Sequence, residues 1–227
     1  MNYSYVSVPT IQDFRLSPAF ICGLMGPFGS GKSSGCVAEI VERSRGQAPD
    51  PKDGIRKSRW AVVRNTYRQL SDTTMKTFFD WLPPLQYDPL HGFGDFIKTD
   101  HNYLITGIEG CLVEVWFRAL DRPEHVANLL SSEYTGAWFN EAREIDWTIV
   151  EAMTSRVGRF PAKKDGGCTW SGIFMDTNPP DDDSDWYNFF EEKSLPAYYS
   201  QVFKQPSGTS PEAENLPKIG PFVYREQ

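Results

Sequence analysis

The sequence predicts an α/β protein of the phosphate-loop NTPase class, with a mainly parallel central sheet flanked by helices and an additional strand that ends in a catalytic Glu. Three observations carry this. Residues Gly26 to Ser33 read GPFGSGKS, a complete G-x-x-x-x-G-K-[ST] loop. Short apolar runs alternate with helix-period segments along the chain. Two of the later runs end in polar clusters, Asn140-Glu141 and Asp176-Thr177-Asn178-Pro179, and strand carboxyl ends face the ligand crevice of an open α/β sheet.

The first strand is the apolar run Ala19 to Met25, directly before the loop. Gly29 and Gly31 let backbone N–H groups turn inward around a phosphate. Lys32 reaches the β- and γ-phosphates, and Ser33 offers Mg²⁺ a hydroxyl. Gly26, Pro27, Phe28, Gly29, Ser30, Gly31, Lys32, Ser33 and Ser34 thus form one nucleotide-binding segment. A helix over Ser34 to Arg43 follows, with Cys36, Val37, Ile40 and Val41 on one face, and its positive dipole end adds to the site.

Gln47 to Arg59, rich in Pro, Asp and basic residues, reads as a loop. Trp60 to Val63 is a second strand. It leads into a helix over Tyr67 to Trp81, which Pro83-Pro84 ends. Tyr103 to Ile108 and Leu112 to Phe117 alternate around Glu109-Gly110 as a hairpin. Helices are expected over Pro123 to Leu130 and Trp147 to Val157, with the strand Ala137 to Phe139 between them, and Ile173 to Met175 is a further strand. Gln205 to Pro221, rich in Pro, Ser and Glu, reads as a linker or tail. The expected division is therefore a main domain over 1–204 and a tail over 205–227.

Composition bounds the class. A chain of 227 residues suits one domain with a large core. A net charge of −7 argues against general adhesion to nucleic acid, while leaving room for a local basic patch. Cys22, Cys36, Cys111 and Cys168 are widely spaced in or beside apolar runs, which fits reduced thiols in a cytosolic protein better than a zinc site. No stretch approaches 18 apolar residues and the N-terminus lacks a signal pattern, so a soluble protein without membrane contact is expected.

Hydrolysis of a nucleotide needs a carboxylate to activate water and a polar group near Mg²⁺. Glu141 supplies the first. Asn140 precedes it and can accept a hydrogen bond from a metal-bound water, so Ser33 and Asn140 are the metal-side candidates. Thr177 and Asn178, at the end of the next strand, are placed to sense the γ-phosphate and couple its loss to movement.

GPFGSGKS, VVRNTYRQL (Val62 to Leu70), SSEYTGAWFNEAREI (Ser131 to Ile145) and MDTNPP (Met175 to Pro180) together resemble the ATPase domain of the large terminase subunit of tailed bacteriophages, over roughly Pro9 to Phe203. The resemblance implies an ATP- and Mg²⁺-dependent motor that packages double-stranded DNA in the host-cell cytoplasm. It would work as a homo-oligomeric ring on a portal protein, with a small terminase subunit as a further partner, and could be monomeric in isolation. It also implies that Arg64 and Tyr67 lie near the nucleotide and that Gln12 contacts adenine. Two departures stand out. The family usually carries Asp where Asn140 stands, and a nuclease domain usually begins about where this chain stops, so no DNA cleavage is expected of it.

An arginine finger, in cis or in trans, should neutralise charge on the transferring phosphoryl group. Arg118, Arg122, Arg156 and Arg159 are candidates, with Arg156 and Arg159 ranked first for their three-residue spacing at a helix end. Lys52, Arg56, Lys57 and Arg59 form the densest basic patch and are the candidates for DNA phosphate contact. The Asp181-Asp182-Asp183 run with Asp185 reads as solvated rather than metal-binding. A helicase-like ATPase outside packaging and a phosphate-loop kinase are the alternatives.

Overall fold

The computed structural model describes residues 8–181, 184–192, 196 and 198–205. In chain order the elements are α1 (Pro9–Leu16), β1 (Ile21–Met25), α2 (Lys32–Arg45), β2 (Arg56–Arg64), α3 (Tyr67–Gln69), α4 (Met75–Trp81), β3 (Gly94–Ile97), β4 (Asn102–Ile105), β5 (Cys111–Ala119), α5 (Pro123–Ser131), β6 (Gly136–Asn140), α6 (Trp147–Thr154), β7 (Gly172–Thr177), α7 (Asp185–Tyr187) and β8 (Ser200–Lys204). A π-helical turn, Leu70–Thr74, joins α3 to α4, so the expected single helix over this stretch is present with a widened middle.

The eight described strands form one sheet in the order β3-β4-β5-β2-β6-β7-β1-β8. From β5 to β8 every pairing is parallel, and β3 and β4 add an antiparallel edge. The expected mainly parallel sheet is therefore what forms. Its central strands are buried on both faces, which is why they read as continuous apolar runs.

Alternation along those strands feeds two cores. Cys22, Leu24, Trp60, Val62, Trp138 and Phe174 face α1, α2 and α4, where they meet Phe14, Val37, Val41 and Phe78. Ile21, Met25, Ala61, Val63, Ala137, Phe139, Ile173 and Met175 face α5, α6 and α7, against Leu129, Val150, Met153 and Trp186. Each large apolar side chain so buried contributes roughly 1.5–3 kcal/mol. The period-2 pattern also decides where the strand-end polar residues point. Asn140 continues the Trp138 face and Asp176 the Phe174 face, so both are directed to the α2 side.

Four elements lie outside the expectations, among them the short α7 (Asp185–Tyr187). Pro9–Leu16 forms α1, started by a proline at its first turn. Gly94–Ile97 adds β3 to the hairpin edge, and Ser200–Lys204 pairs with β1 as β8. The expected loop over Gln47 to Arg59 is shorter than read, because β2 begins at Arg56. The charges of Arg56, Lys57 and Arg59 masked a strand whose alternate members are half-covered. The helix expected to run to Val157 ends at Thr154. Residues 206–227, with most of the expected tail, and Asp182 and Asp183 of the acidic run lie outside the described residues. Among the described residues, no helix is long and apolar enough to cross a membrane.

Candidate nucleotide site

The loop between β1 and α2 bends through Gly29 at φ 72° and Gly31 at φ 81°, left-handed values that favour glycine. Gly31 occupies the N-cap of α2, so the first N–H groups of that helix point out of its end without intrahelical partners. Gly35 N closes the first turn on Gly31 O at 2.9 Å. Ser30 Oγ donates to Pro27 O at 2.8 Å and pins the loop across itself. Phe28 is exposed at the tip.

Lys32 is buried, and its ammonium donates to Gly26 O and Pro27 O, each at 2.8 Å, and to Asn178 Oδ1 at 3.3 Å. Burial pulls this lysine below its ordinary range, opposed by the nearby charges of Asp176 and Glu141. The ends of β6 and β7 complete the wall. Glu141 follows β6 directly and is held at φ 50°, ψ 54°, a left-handed conformation unusual for a residue with a side chain. Its carboxylate accepts from Asn178 Nδ2 at 3.2 and 3.4 Å. Burial, followed by the charge of Asp176, raises the Glu141 carboxyl above the ordinary range, while Arg64 and Lys32 draw it back.

Thr177 ties the same region together. Its carbonyl accepts from Gly26 N at 3.2 Å, at the start of the phosphate loop. Its hydroxyl accepts from Arg143 N at 3.4 Å, just beyond Glu141. The β7 end thus touches both the phosphate loop and the acid-bearing segment.

Beneath Ser33 lies a polar cluster that sequence reasoning missed in part. Ser33 Oγ donates to Asp176 Oδ2 at 2.7 Å. Trp138 Nε1 donates to Asp176 Oδ1 at 2.7 Å, and Asn140 Nδ2 donates to both carboxylate oxygens at 3.0 and 3.1 Å. Asn140 and Asp176 are register partners on adjacent strands. Asn140 Oδ1 accepts instead from Thr74 Oγ1 at 2.6 Å, at the end of the π-helical turn. Only this amide orientation is chemically sound, since its reverse would set an amide oxygen against a carboxylate. The expectation that Asn140 accepts from a metal-bound water is therefore corrected: its donor end, not its acceptor, faces Ser33. Asp176 could have been found by counting face parity from Phe174.

Other expected residues divide. Arg64 is buried at the end of β2, with Nη1 on Asn140 O at 3.3 Å and on Glu144 Oε2 at 3.2 Å, and it stands beside Glu141. Gln12 is exposed on α1, whose Ile11 lies against Gly31. The Ser34 hydroxyl is turned away from the loop and accepts from Trp81 Nε1 at 2.9 Å, fastening α4 to α2. Tyr67 is not brought to the phosphate loop. It follows β2, three strands from β1, roughly 14 Å by strand spacing. There its N–H bonds Asp121, and its hydroxyl meets His101 Nε2 at 2.9 Å.

Arg156 and Arg159 stand at the opposite end of β6 from Glu141. Arg156 O accepts from Tyr134 N, and Arg159 N donates to Tyr134 O, just before the strand begins. A five-residue strand spans roughly 16 Å, so a role for either arginine on this chain's own nucleotide is excluded. Arg118 is engaged with Asp100 O and Asn102 Oδ1.

Cations of the basic patch have partners within the chain. Lys57 pairs with Asp50 at 2.6 Å and Asp53 at 2.8 Å, Arg59 with Glu114 at 2.8 Å, and Lys52 with Asp165. Three of its four cations are thus already engaged by carboxylates.

No family model and no curated protein sequence matches this chain. Solved structures do. The large terminase of a thermophilic bacteriophage superposes with a TM-score of 0.64 at 11% identity, over 88% of this chain and 45% of that one. The same terminase in complex with ADP gives 0.64 at 12% identity, over 87% and 45%. The ATPase domain of the Thermus phage P74-26 large terminase gives 0.53 at 15% identity, over 88% and 80%. The chain thus has the fold of large terminase ATPase domains and spans less than half the length of the first of these proteins.

Proposed function

We propose that this chain is the ATP-hydrolysing motor domain of a viral DNA-packaging terminase, acting as a ring on a portal protein with a small terminase subunit as partner, in the host-cell cytoplasm. One observation carries the reading: a single side chain, Asn178, bridges the phosphate-loop lysine and the water-activating Glu141. A kinase needs no acid aimed at water beside its phosphate loop. The terminase fold, including one neighbour solved both with ADP and with ATP-γ-S, supports the motor over the helicase-like alternative.

ATP binds with its β- and γ-phosphates on the loop N–H groups, taking over the Lys32 bonds to Gly26 and Pro27. Gln12 and Arg64 flank the nucleotide. The pairing of a hydroxyl and a buried carboxylate at 2.7 Å, Ser33 with Asp176, fits a hard cation with oxygen ligands. Held there by Ser33 and Asp176, Mg²⁺ would supply positive charge against that developing on the transferring phosphoryl group. Glu141 accepts the proton of the attacking water. Loss of the γ-phosphate returns Lys32 to the loop carbonyls and to Asn178, and Thr177 transmits that change to the segment after Glu141. Arg156 and Arg159, remote from their own site, are the proposed fingers for a neighbouring subunit's nucleotide.

The test is ATP turnover at rising protein concentration, with and without linear double-stranded DNA, for wild type, Arg156→Ala and Arg159→Ala. A ring motor gives specific activity that climbs with concentration and with DNA, and loses that climb when the finger is removed. Specific activity independent of both would reject the packaging reading.

A further inference from the structure

Resting on the ATPase reading, we infer that the metal-facing carboxylate of this site has moved one strand over, from the end of β6 to the end of β7. Asp176 takes that part, and Asn140, at the position before Glu141 where an acid would ordinarily stand, is its positioning residue. Three observations converge on this exchange.

The first is parity. Asn140 and Asp176 are paired in register and point to the same α2 face of the sheet, so a carboxylate on either strand reaches the same space under Ser33. The second is polarity. Ser33 Oγ, Trp138 Nε1 and both contacts of Asn140 Nδ2 all donate to Asp176, so its two oxygens act as acceptors in each of these contacts. Thr74 holds the other end of the Asn140 amide and fixes that direction. The third is charge. Asp176 is fully buried; the charge of Lys32 lies near it, but that ammonium is bonded to Gly26 O, Pro27 O and Asn178 Oδ1 rather than to Asp176. A buried carboxylate with no cation bonded to it is costly. A Mg²⁺ ion at the Ser33 hydroxyl would add positive charge at the spot where the carboxylate already points.

The exchange makes a reciprocal prediction. Asp176→Asn removes the charge. Asn140→Asp with Asp176→Asn restores it on the neighbouring strand, with the amide donating back across the same register pair. Calorimetric titration of ATP in MgCl₂ and in EDTA reads this without turnover, and thermal melting confirms that each variant is folded. In Asp176→Asn the gain in ATP affinity that Mg²⁺ brings should fall about 10-fold to 100-fold, the range for partners that orient a metal site, while affinity in EDTA stays near wild type. The double variant should recover most of that gain.

The inference is overturned if folded Asp176→Asn keeps the full Mg²⁺ gain, or if the folded double variant remains as poor as Asp176→Asn. Should Asp176→Asn fail to fold, the double variant decides alone against wild type: a Mg²⁺ gain close to the wild-type gain supports the exchange, and one lower by about 10-fold or more overturns it. Wild type that binds no ATP in either buffer would instead sink the ATPase reading beneath it.

Discussion

Asn178 joins Lys32 to Glu141 through the two ends of one amide: its oxygen accepts from Lys32 Nζ at 3.3 Å, and its nitrogen donates to the Glu141 carboxylate at 3.2 and 3.4 Å. The polarity is matched at both ends. A cation meets an acceptor and an anion meets a donor. No carboxylate or hydrocarbon of that size can serve both partners.

Asn178→Ala therefore frees Glu141 to rotate. ATP turnover should fall about 10-fold to 100-fold, the scale on which small misplacements act, with nucleotide affinity little changed. Asn178→Asp should be worse, because it sets a second carboxylate against Glu141. Steady-state turnover beside fluorescent-nucleotide binding checks both. Unchanged turnover in Asn178→Ala would remove the amide from the mechanism.

In the proposed mechanism Glu141 sets the pH behaviour. Its folded-state carboxyl is raised above the ordinary value by burial and by Asp176. The ionised base is lost as pH falls through that raised value, so the acid limb of turnover should lie above the range of an ordinary glutamate. The stability consequence has the opposite sense. A raised acid favours folding most below its unfolded value, and this contribution declines as pH climbs toward the folded value. Glu141→Gln should thus be at least as stable as wild type at neutral pH, with turnover lower by about 10²-fold or more. Denaturant melts across pH 4 to 8, with initial rates, measure both.

The backbone at Glu141 makes a separate prediction. Its φ of 50° costs a residue with a side chain roughly 1–2 kcal/mol. Glycine relieves this strain, so Glu141→Gly should unfold at no lower denaturant concentration than wild type while losing turnover. Glu141→Val should lose roughly 1–2 kcal/mol, because β-branching crowds the left-handed region further. Equal stability of the two variants would contradict a strained functional residue.

Lys57 should prove structural. It neutralises Asp50 and Asp53, and the Asp50 carboxyl is held below its ordinary range by the Lys57 bond. Lys57→Ala should lower the melting temperature at neutral pH and leave affinity for double-stranded DNA at low salt unchanged. A marked loss of DNA binding with an unaltered melt would restore the basic patch as a DNA contact.

The phosphate loop, the acid at Glu141 and the Thr177-Asn178 pair were legible because each is a local signal, a short string at the end of an apolar run. The central strands were legible for the same reason, being buried on both faces. What escaped depends on neighbours remote in sequence. β8 and β3 are short strands whose pairing partners decide them, and the charged start of β2 reads as loop until Glu114, Asp50 and Asp53 are seen to pair with it. Tyr67 and Arg156 carry plausible chemistry, but strand order sends one three strands away and strand direction sends the other to the far end of β6. The Asn140–Asp176 pair required the register between two strands, which no single run contains.

The most direct test of the central claim is phosphate release from ATP by wild type and Glu141→Gln, measured beside ATP binding by both. The account predicts that both proteins bind ATP with similar affinity and that only wild type releases phosphate to water. Hydrolysis by Glu141→Gln at the wild-type rate would contradict it.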